Sequence, residues 1–188
     1  KRHHIGLVND LQHSEWASIR MDRKLQQLLD FEEIEEVNIP MSFNGTLRPY
    51  QKAGYNWFHF LRKYNFGGCL ADDMGLGKTI QTLALLQKIK EENSILGIQS
   101  TSLIVMPTSL IYNWQNEAAK FAPQLKILIH TGSLRNKNIA RFLDYDVIFT
   151  TYGVVRVDVE LLESNYFDYI ILDESQNIKN ATSKAFKS

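Results

Sequence analysis

Residues 70–79 read LADDMGLGKT and end in the Gly-Lys-Thr of a phosphate-binding loop. The strict pattern G-x-x-x-x-G-K-[ST] has glycine where this chain has Asp72. Gly75 and Gly77 let the backbone turn tightly and aim successive N–H groups at one point. A helix beginning near Lys78 adds its positive end, so an anion is favoured there before any side chain acts. Lys78 then reaches the β- and γ-phosphates, and the Thr79 hydroxyl ligates Mg²⁺. A second stretch, YIILDESQ (169–176), delivers Asp173 and Glu174 at the end of an apolar strand. Magnesium keeps several waters and needs one or two carboxylates beside phosphates, a role for Asp173. Glu174 could orient or deprotonate the attacking water. Each stretch has an ordinary alternative, a glycine turn before a helix or a solvated acidic loop after a strand. Together they read as a site for a nucleoside triphosphate, with Mg²⁺ between Thr79 and Asp173.

The elements that must position these residues follow from hydrophobic patterning. Pro49 suits the first turn of a helix running to about Tyr64, because its missing N–H would be unpaired there anyway. The patterns predict a short buried strand from Gly67 to Ala71, a helix from Lys78 to Glu92, and another over 109–121. The runs SLIVM (102–106), LKILIH (125–130), DVIFT (146–150) and YIILD (169–173) read as strands buried on both faces. Apolar strands alternating with helices imply crossover connections and a mainly parallel sheet covered on both sides, an α/β three-layer fold. Ligands on such sheets bind at the carboxyl ends of the strands. Ahead of this unit, residues 14–35 carry apolar residues near helical spacing, and NIPMSFNGT reads as a linker. The expected division is a helical N-terminal flank and linker over 1–44 and a nucleotide-binding lobe over 45–188.

Bulk properties narrow the class. Lys and Arg number 21, as do Asp and Glu, so net charge lends no support to nucleic-acid binding and any basic surface must be local. The single cysteine, Cys69, excludes an intramolecular disulfide, fits a reducing compartment and reads as a small core residue. No apolar run approaches the ~20 residues of a membrane span, so no membrane partner is expected. The five histidines show no metal-ligand spacing, and Trp57 and Trp114 read as core packing rather than base-stacking platforms.

Five stretches in order, LRPYQKAGYNWF (47–58), LADDMGLGKTIQTLALL (70–86), LIVMPTSLIYNWQNEAAKF (103–121), DVIFTTYGVV (146–155) and ILDESQNIKN (171–180), resemble the first motor lobe of the Swi/Snf ATPases. These form the chromatin-remodelling branch of the superfamily-two helicases, and the resemblance covers about residues 45–188. It implies a RecA-like P-loop lobe binding ATP and Mg²⁺, in which ADDMGLGKT is a usual form of the loop despite Asp72. Asp73, Met74, Gly75, Leu76, Gly77, Lys78 and Thr79 would cradle the nucleotide. Gln51 would read the adenine, with Arg48 and Tyr50 nearby; an amide pairs with both a donor and an acceptor on a base edge. Pro107, Thr108 and Ser109 would touch the nucleic-acid backbone at one turn, and Thr150 and Thr151 at a second. Hydroxyls and free N–H groups suit phosphate oxygens, although such residues also cap helices.

The implied activity is DNA-dependent ATP hydrolysis driving translocation on double-stranded DNA. The implied partners are the duplex backbone, a second RecA-like lobe of the same chain, and RNA polymerase or another DNA-bound complex. Alternatives are a helicase lobe acting on RNA or single strands and a non-catalytic nucleotide-fold scaffold. Gln176 stands where many helicase relatives have His or Asp, and prokaryotic members of the family often carry it. The expected location is therefore cytoplasmic, at the nucleoid, in a prokaryote, and nuclear in a eukaryote. The chain stops at NATSKAFKS without the second lobe and its arginine fingers, which supply about 10³–10⁵ in rate. It is expected to be a fragment that binds ATP weakly and barely turns it over alone.

Overall fold

The computed structural model describes residues 33–71 and 75–178. Helix α1, Pro49–Tyr64, opens on proline and closes at Asn65, whose left-handed backbone (φ 58°) lets its N–H donate to the Arg62 carbonyl. Helix α2, Lys78–Leu96, starts at Gly77 and stops at Gly97, both left-handed. Strand β1 is Ser102–Met106. A 3₁₀ turn, Thr108–Leu110, then leads into helix α3, Ile111–Phe121. Strand β2 is Ile127–Ile129, and a second 3₁₀ turn, Ile139–Asp144, precedes strand β3, Val147–Thr151. Two short helices, α4 (Tyr152–Val157) and α5 (Val159–Glu163), lead to strand β4, Ile170–Leu172.

The four strands form one sheet in the order β2-β3-β1-β4, and each pairing is parallel. Alternate residues of each strand point to opposite faces. Ile104, Met106, Val147 and Phe149 therefore pack with Tyr55 of α1, Leu83 and Ala84 of α2, and Trp114 and Ala118 of α3. Leu103, Val105 and Ile148 turn the other way, onto Phe142 of the second 3₁₀ turn and Leu162 of α5. The result is the three-layer α/β arrangement expected from the patterning. Helix α2 is buried more completely than one apolar face requires. Residues 81–87 are all buried, because α1, α3 and the sheet enclose the middle of the helix. No described helix is long and apolar enough to cross a membrane.

Several expectations are corrected. Gly67–Ala71 is not a strand; it is largely exposed and has no ladder partner in the sheet. Its Gly68 sits against α1, where an added Cβ would lie 2.4 Å from Leu61 and 2.6 Å from Trp57. The segment thus packs on a helix rather than a strand edge, and Cys69 is exposed instead of core. Among the described residues, strand β4 pairs only with β1, and it is not buried on both faces: Ile170 and Leu172 are exposed. The amphipathic helix read over 14–35 falls mainly outside the described residues; the described part, 33–35, is not helical.

Candidate active site

The phosphate loop enters α2 through two glycines that ordinary residues could not replace without strain. Gly75 has φ 82° and Gly77 φ 80°. Among the described residues, an added Cβ at Gly75 would meet nothing within 4 Å. The first turn of α2 has neither a side-chain cap nor an acidic residue. Its positive dipole end therefore favours an anion. Lys78 and Thr79, both half-buried, are the first two residues of this helix. Leu76 is exposed, and Asp73 and Met74 lie outside the described residues.

Gln51 is buried at 7% exposure. Its side-chain Nε2 donates to the Leu76 carbonyl at 3.1 Å, and its Oε1 accepts from the Arg48 backbone N–H at 2.9 Å. The same Nε2 lies 3.4 Å from the Tyr50 hydroxyl. Gln51 thereby ties the first turn of α1 to the phosphate loop. Helical periodicity alone would have left it an exposed position. The Arg48 side chain is exposed at the same end of α1.

Topology brings the acidic pair to the loop. Helix α2 ends at Leu96, just before β1 begins at Ser102. At about 1.5 Å per residue, the helix carries its N-terminus back across the sheet to the carboxyl edge of the strands. Asp173 and Glu174 follow β4 at that same edge. The Asp173 N–H donates to the Val105 carbonyl at 2.9 Å, extending the β1–β4 pairing. Asp173 Oδ1 accepts from the Glu174 N–H at 3.0 Å, and Oδ2 accepts from Trp114 Nε1 at 2.8 Å. Tyr152 donates its hydroxyl to the Asp173 carbonyl at 2.7 Å. Burial, reinforced by the Asp173 and Glu174 charges, pushes the Tyr152 phenol up to about 12, so it remains a donor at neutral pH. Glu174 has a left-handed backbone (φ 52°), unusual for a side chain of this size, and its carboxylate accepts from Gln176 Nε2. Gln176 thus restrains Glu174 without titrating.

A carboxylate has roughly four lone-pair sites, so Asp173 can accept these two donors and still face a cation. A glycine cradle, an uncapped helix N-terminus, a lysine, a hydroxyl and a carboxylate fit a Mg²⁺–triphosphate group. Thr79 and Asp173 are the residues that would hold the ion. Among the described residues, no cluster of three His, Cys, Asp or Glu side chains forms a metal site of another kind.

The two turns expected at nucleic acid differ. Thr108 and Ser109 are exposed, Pro107 is half-buried, and neither the 3₁₀ turn nor α3 has a side-chain cap. Helix capping therefore does not account for these hydroxyls. At the second turn it does: Thr151 is 8% exposed and accepts from the Val154 N–H as the N-cap of α4. Thr150 is fully buried and donates to the His130 carbonyl at 2.9 Å. Both hydroxyls are thus bonded inside the protein, which gives them a structural role independent of any phosphate backbone.

Sequence reasoning also missed a buried charge cluster near this turn. Asp158 accepts from His130 Nε2 at 3.1 Å and from Arg135 through two nitrogens, one at 2.6 Å, with Lys137 Nζ at 3.3 Å. Both Asp158 and His130 have side chains only 1% exposed. The Arg135 guanidinium holds the Asp158 carboxyl well below the usual carboxylate range, whereas burial lowers His130 and keeps its ring neutral. These residues are spread over 28 positions, and no local spacing announces them.

Comparison with known proteins supplies the family. Residues 50–188 match the family model described as the SNF2-related domain. The Bacillus subtilis protein YwqA, named as an ATP-dependent helicase/translocase, is 46% identical over 181 residues, covering 91% of this chain and 19% of its own. The TATA-binding protein-associated factor MOT1 of Saccharomyces cerevisiae is 37% identical over 174 residues, covering 87% of this chain and 9% of its own. The SWI2/SNF2 ATPase core of Sulfolobus solfataricus in complex with double-stranded DNA superposes with a TM-score of 0.72 at 42% identity. That match covers 81% of this chain and 31% of the other. The chain thus spans about a fifth or less of the curated relatives described here.

Proposed function

The chain belongs to the SNF2-related domain family, and we propose that it is the nucleotide-binding lobe of an ATP-dependent translocase on double-stranded DNA. The observation that carries the reading is the meeting, at one sheet edge, of the uncapped α2 N-terminus and the Asp173–Glu174 pair. The Gly75–Gly77 loop and the start of α2 would bind the phosphates, Lys78 would neutralise the β/γ oxygens, and Thr79 and Asp173 would hold Mg²⁺. A Mg²⁺ ion held there would supply positive charge against the charge that develops on the phosphates. Glu174, held by Gln176, is the group placed to orient the attacking water and accept its proton. Gln51 fixes the loop to α1, and its reading of the adenine rests on the resemblance alone.

Duplex DNA as the track rests on the named complex of the structural relative, and on the exposed Thr108–Ser109 turn as a contact for backbone phosphates. Closure and parting of this lobe against a second one would step the pair along the duplex. The relative named for association with the TATA-binding protein supports a DNA-bound protein complex, RNA polymerase among the candidates, as the cargo.

The test is ATPase activity of the complete parent protein with duplex DNA, single-stranded DNA, RNA or no nucleic acid, beside Lys78→Ala and Glu174→Gln. Stimulation by duplex DNA, lost in both variants, is expected. Stimulation by RNA or single strands alone would make the protein a helicase. No hydrolysis under any condition would leave a nucleotide-fold scaffold.

A further inference from the structure

Asp173, the carboxylate assigned above to Mg²⁺, is held from two directions by aromatic residues that do not belong to the nucleotide loop. Trp114 lies one turn into α3, and only 3% of it is exposed. Its ring meets Phe149 of β3 edge-on, with centroids 5.8 Å apart and an interplanar angle of 75°. That packing accounts for the ring but not for its N–H, which is donated to Asp173 Oδ2 at 2.8 Å. Tyr152 is the first residue of α4, and its hydroxyl donates to the Asp173 carbonyl at 2.7 Å. One partner orients the carboxylate and the other fixes the backbone from which it projects.

Both aromatics are carried by elements that begin at the sheet edge. Helix α3 starts at Ile111, directly after the 3₁₀ turn that carries Thr108 and Ser109 and three residues before Trp114. Tyr152 follows Thr151, the cap of α4, without an intervening residue. A helix moves as a rigid body over one turn, so a displacement of the Thr108–Ser109 turn reaches the indole N–H. Asp173 Oδ2 then follows or loses its donor.

We propose that Trp114 and Tyr152 are positioning residues that hold Asp173 in its metal-binding orientation, and that Trp114 transmits backbone-phosphate contact at the Thr108–Ser109 turn to that carboxylate. This rests on the reading of Asp173 as the Mg²⁺ ligand. It adds that one outer partner of the ligand, Trp114, belongs to the helix that begins at the Thr108–Ser109 turn, so that engagement of the track and competence of the metal site are one event. Outer partners of metal ligands commonly contribute about 10–100-fold in affinity or activity.

The experiment follows the Trp114 indole N–H by two-dimensional ¹H–¹⁵N NMR of this chain, with the resonance assigned by its loss in Trp114→Phe. Mg²⁺–ADP and a short duplex DNA are titrated separately, into the unaltered chain and into Asp173→Asn. Both ligands are expected to shift the resonance, and Asp173→Asn is expected to abolish the response to Mg²⁺–ADP. In the complete parent protein, Tyr152→Phe, which removes one oxygen and preserves the ring, and Trp114→Phe are each expected to lower duplex-stimulated kcat about tenfold. They are also expected to raise the Mg²⁺ concentration for half-maximal rate while leaving KM for ATP within about twofold, since the phosphate cradle is untouched. A merely structural role would lower the melting temperature without moving the Mg²⁺ midpoint. Wild-type Mg²⁺ dependence in both variants would overturn the positioning role. An indole resonance that answers Mg²⁺–ADP but not DNA would overturn the transmission. If the chain binds Mg²⁺–ADP, seen at other resonances, and the indole does not respond, the inference fails while the nucleotide reading stands. If nucleotide does not bind at all, both fail.

Discussion

The Gln51 amide bridges the Leu76 carbonyl at 3.1 Å and the Arg48 N–H at 2.9 Å, so the first turn of α1 and the phosphate loop are one mechanical unit. Removing the amide of Gln51, itself only 7% exposed, takes one partner from each of two backbone groups. Gln51→Ala should cost roughly 1–3 kcal/mol of stability and weaken nucleotide binding. Gln51→Glu should weaken binding further, since a carboxylate cannot donate to Leu76 and adds negative charge beside the phosphates. Thermal melting and calorimetric titration with Mg²⁺–ADP would rank the three proteins. Equal affinity in all of them would refute the bridge.

The two loop glycines should respond differently to alanine. Both have positive φ, so each substitution carries a backbone cost of about 1–2 kcal/mol. At Gly77 the new Cβ would also lie 2.4 Å from Gln51 Nε2, whereas at Gly75 it meets nothing within 4 Å. Gly77→Ala should therefore lose more stability and more nucleotide affinity than Gly75→Ala. Urea midpoints for the pair provide the comparison, and the reverse order would contradict the geometry.

The Asp158 cluster should matter for folding rather than chemistry. Its carboxylate is the counter-ion of Arg135 and Lys137, and its side chain is 1% exposed. Asp158→Asn leaves Arg135 without a partner charge in a largely buried position, a change that costs roughly 3–5 kcal/mol for buried pairs. Denaturant unfolding should show a lower midpoint at an unchanged slope. A loss under about 1 kcal/mol would mean that water screens the cluster as it does a surface pair.

Two histidines make the lobe acid-sensitive in a defined window. Burial lowers His59 from its ordinary 6.5 to about 4, and its Nε2 is buried without a hydrogen-bond partner. His130 is lowered for the same primary reason. In each case the unfolded chain takes up a proton at a higher pH than the folded chain. Stability is therefore complete above about pH 6.5 and falls as pH drops from there toward 4. His59→Phe keeps a ring against Tyr55 and removes one titration, so its loss of stability between pH 7 and pH 5 should be smaller. Urea titrations at the two pH values measure the difference, and an unchanged loss would remove His59 as a cause.

Much of the lobe was legible in the primary structure because its signals are local. Proline at the head of α1, glycine before α2 and apolar runs of strand length act within a few residues, whereas the far end of α2 runs past the expected Glu92 to Leu96. The Gly-Lys-Thr loop and the Asp-Glu pair could be proposed as a site for the same reason: the chemistry expected of them is carried by adjacent residue types. The tertiary structure decided what depends on distant partners. Residues 67–71 have strand composition, but a strand needs a neighbouring edge, and α1 supplied the packing instead. Thr150 and Thr151 look identical in sequence to exposed hydroxyls; burial and the carbonyl of His130, 20 residues away, make Thr150 internal. Trp114 was readable as core, yet the destination of its N–H lies 59 residues along the chain. Apolar burial follows from periodicity, whereas the partner of a buried polar atom is chosen by which strands become neighbours, and only the folded sheet makes that choice.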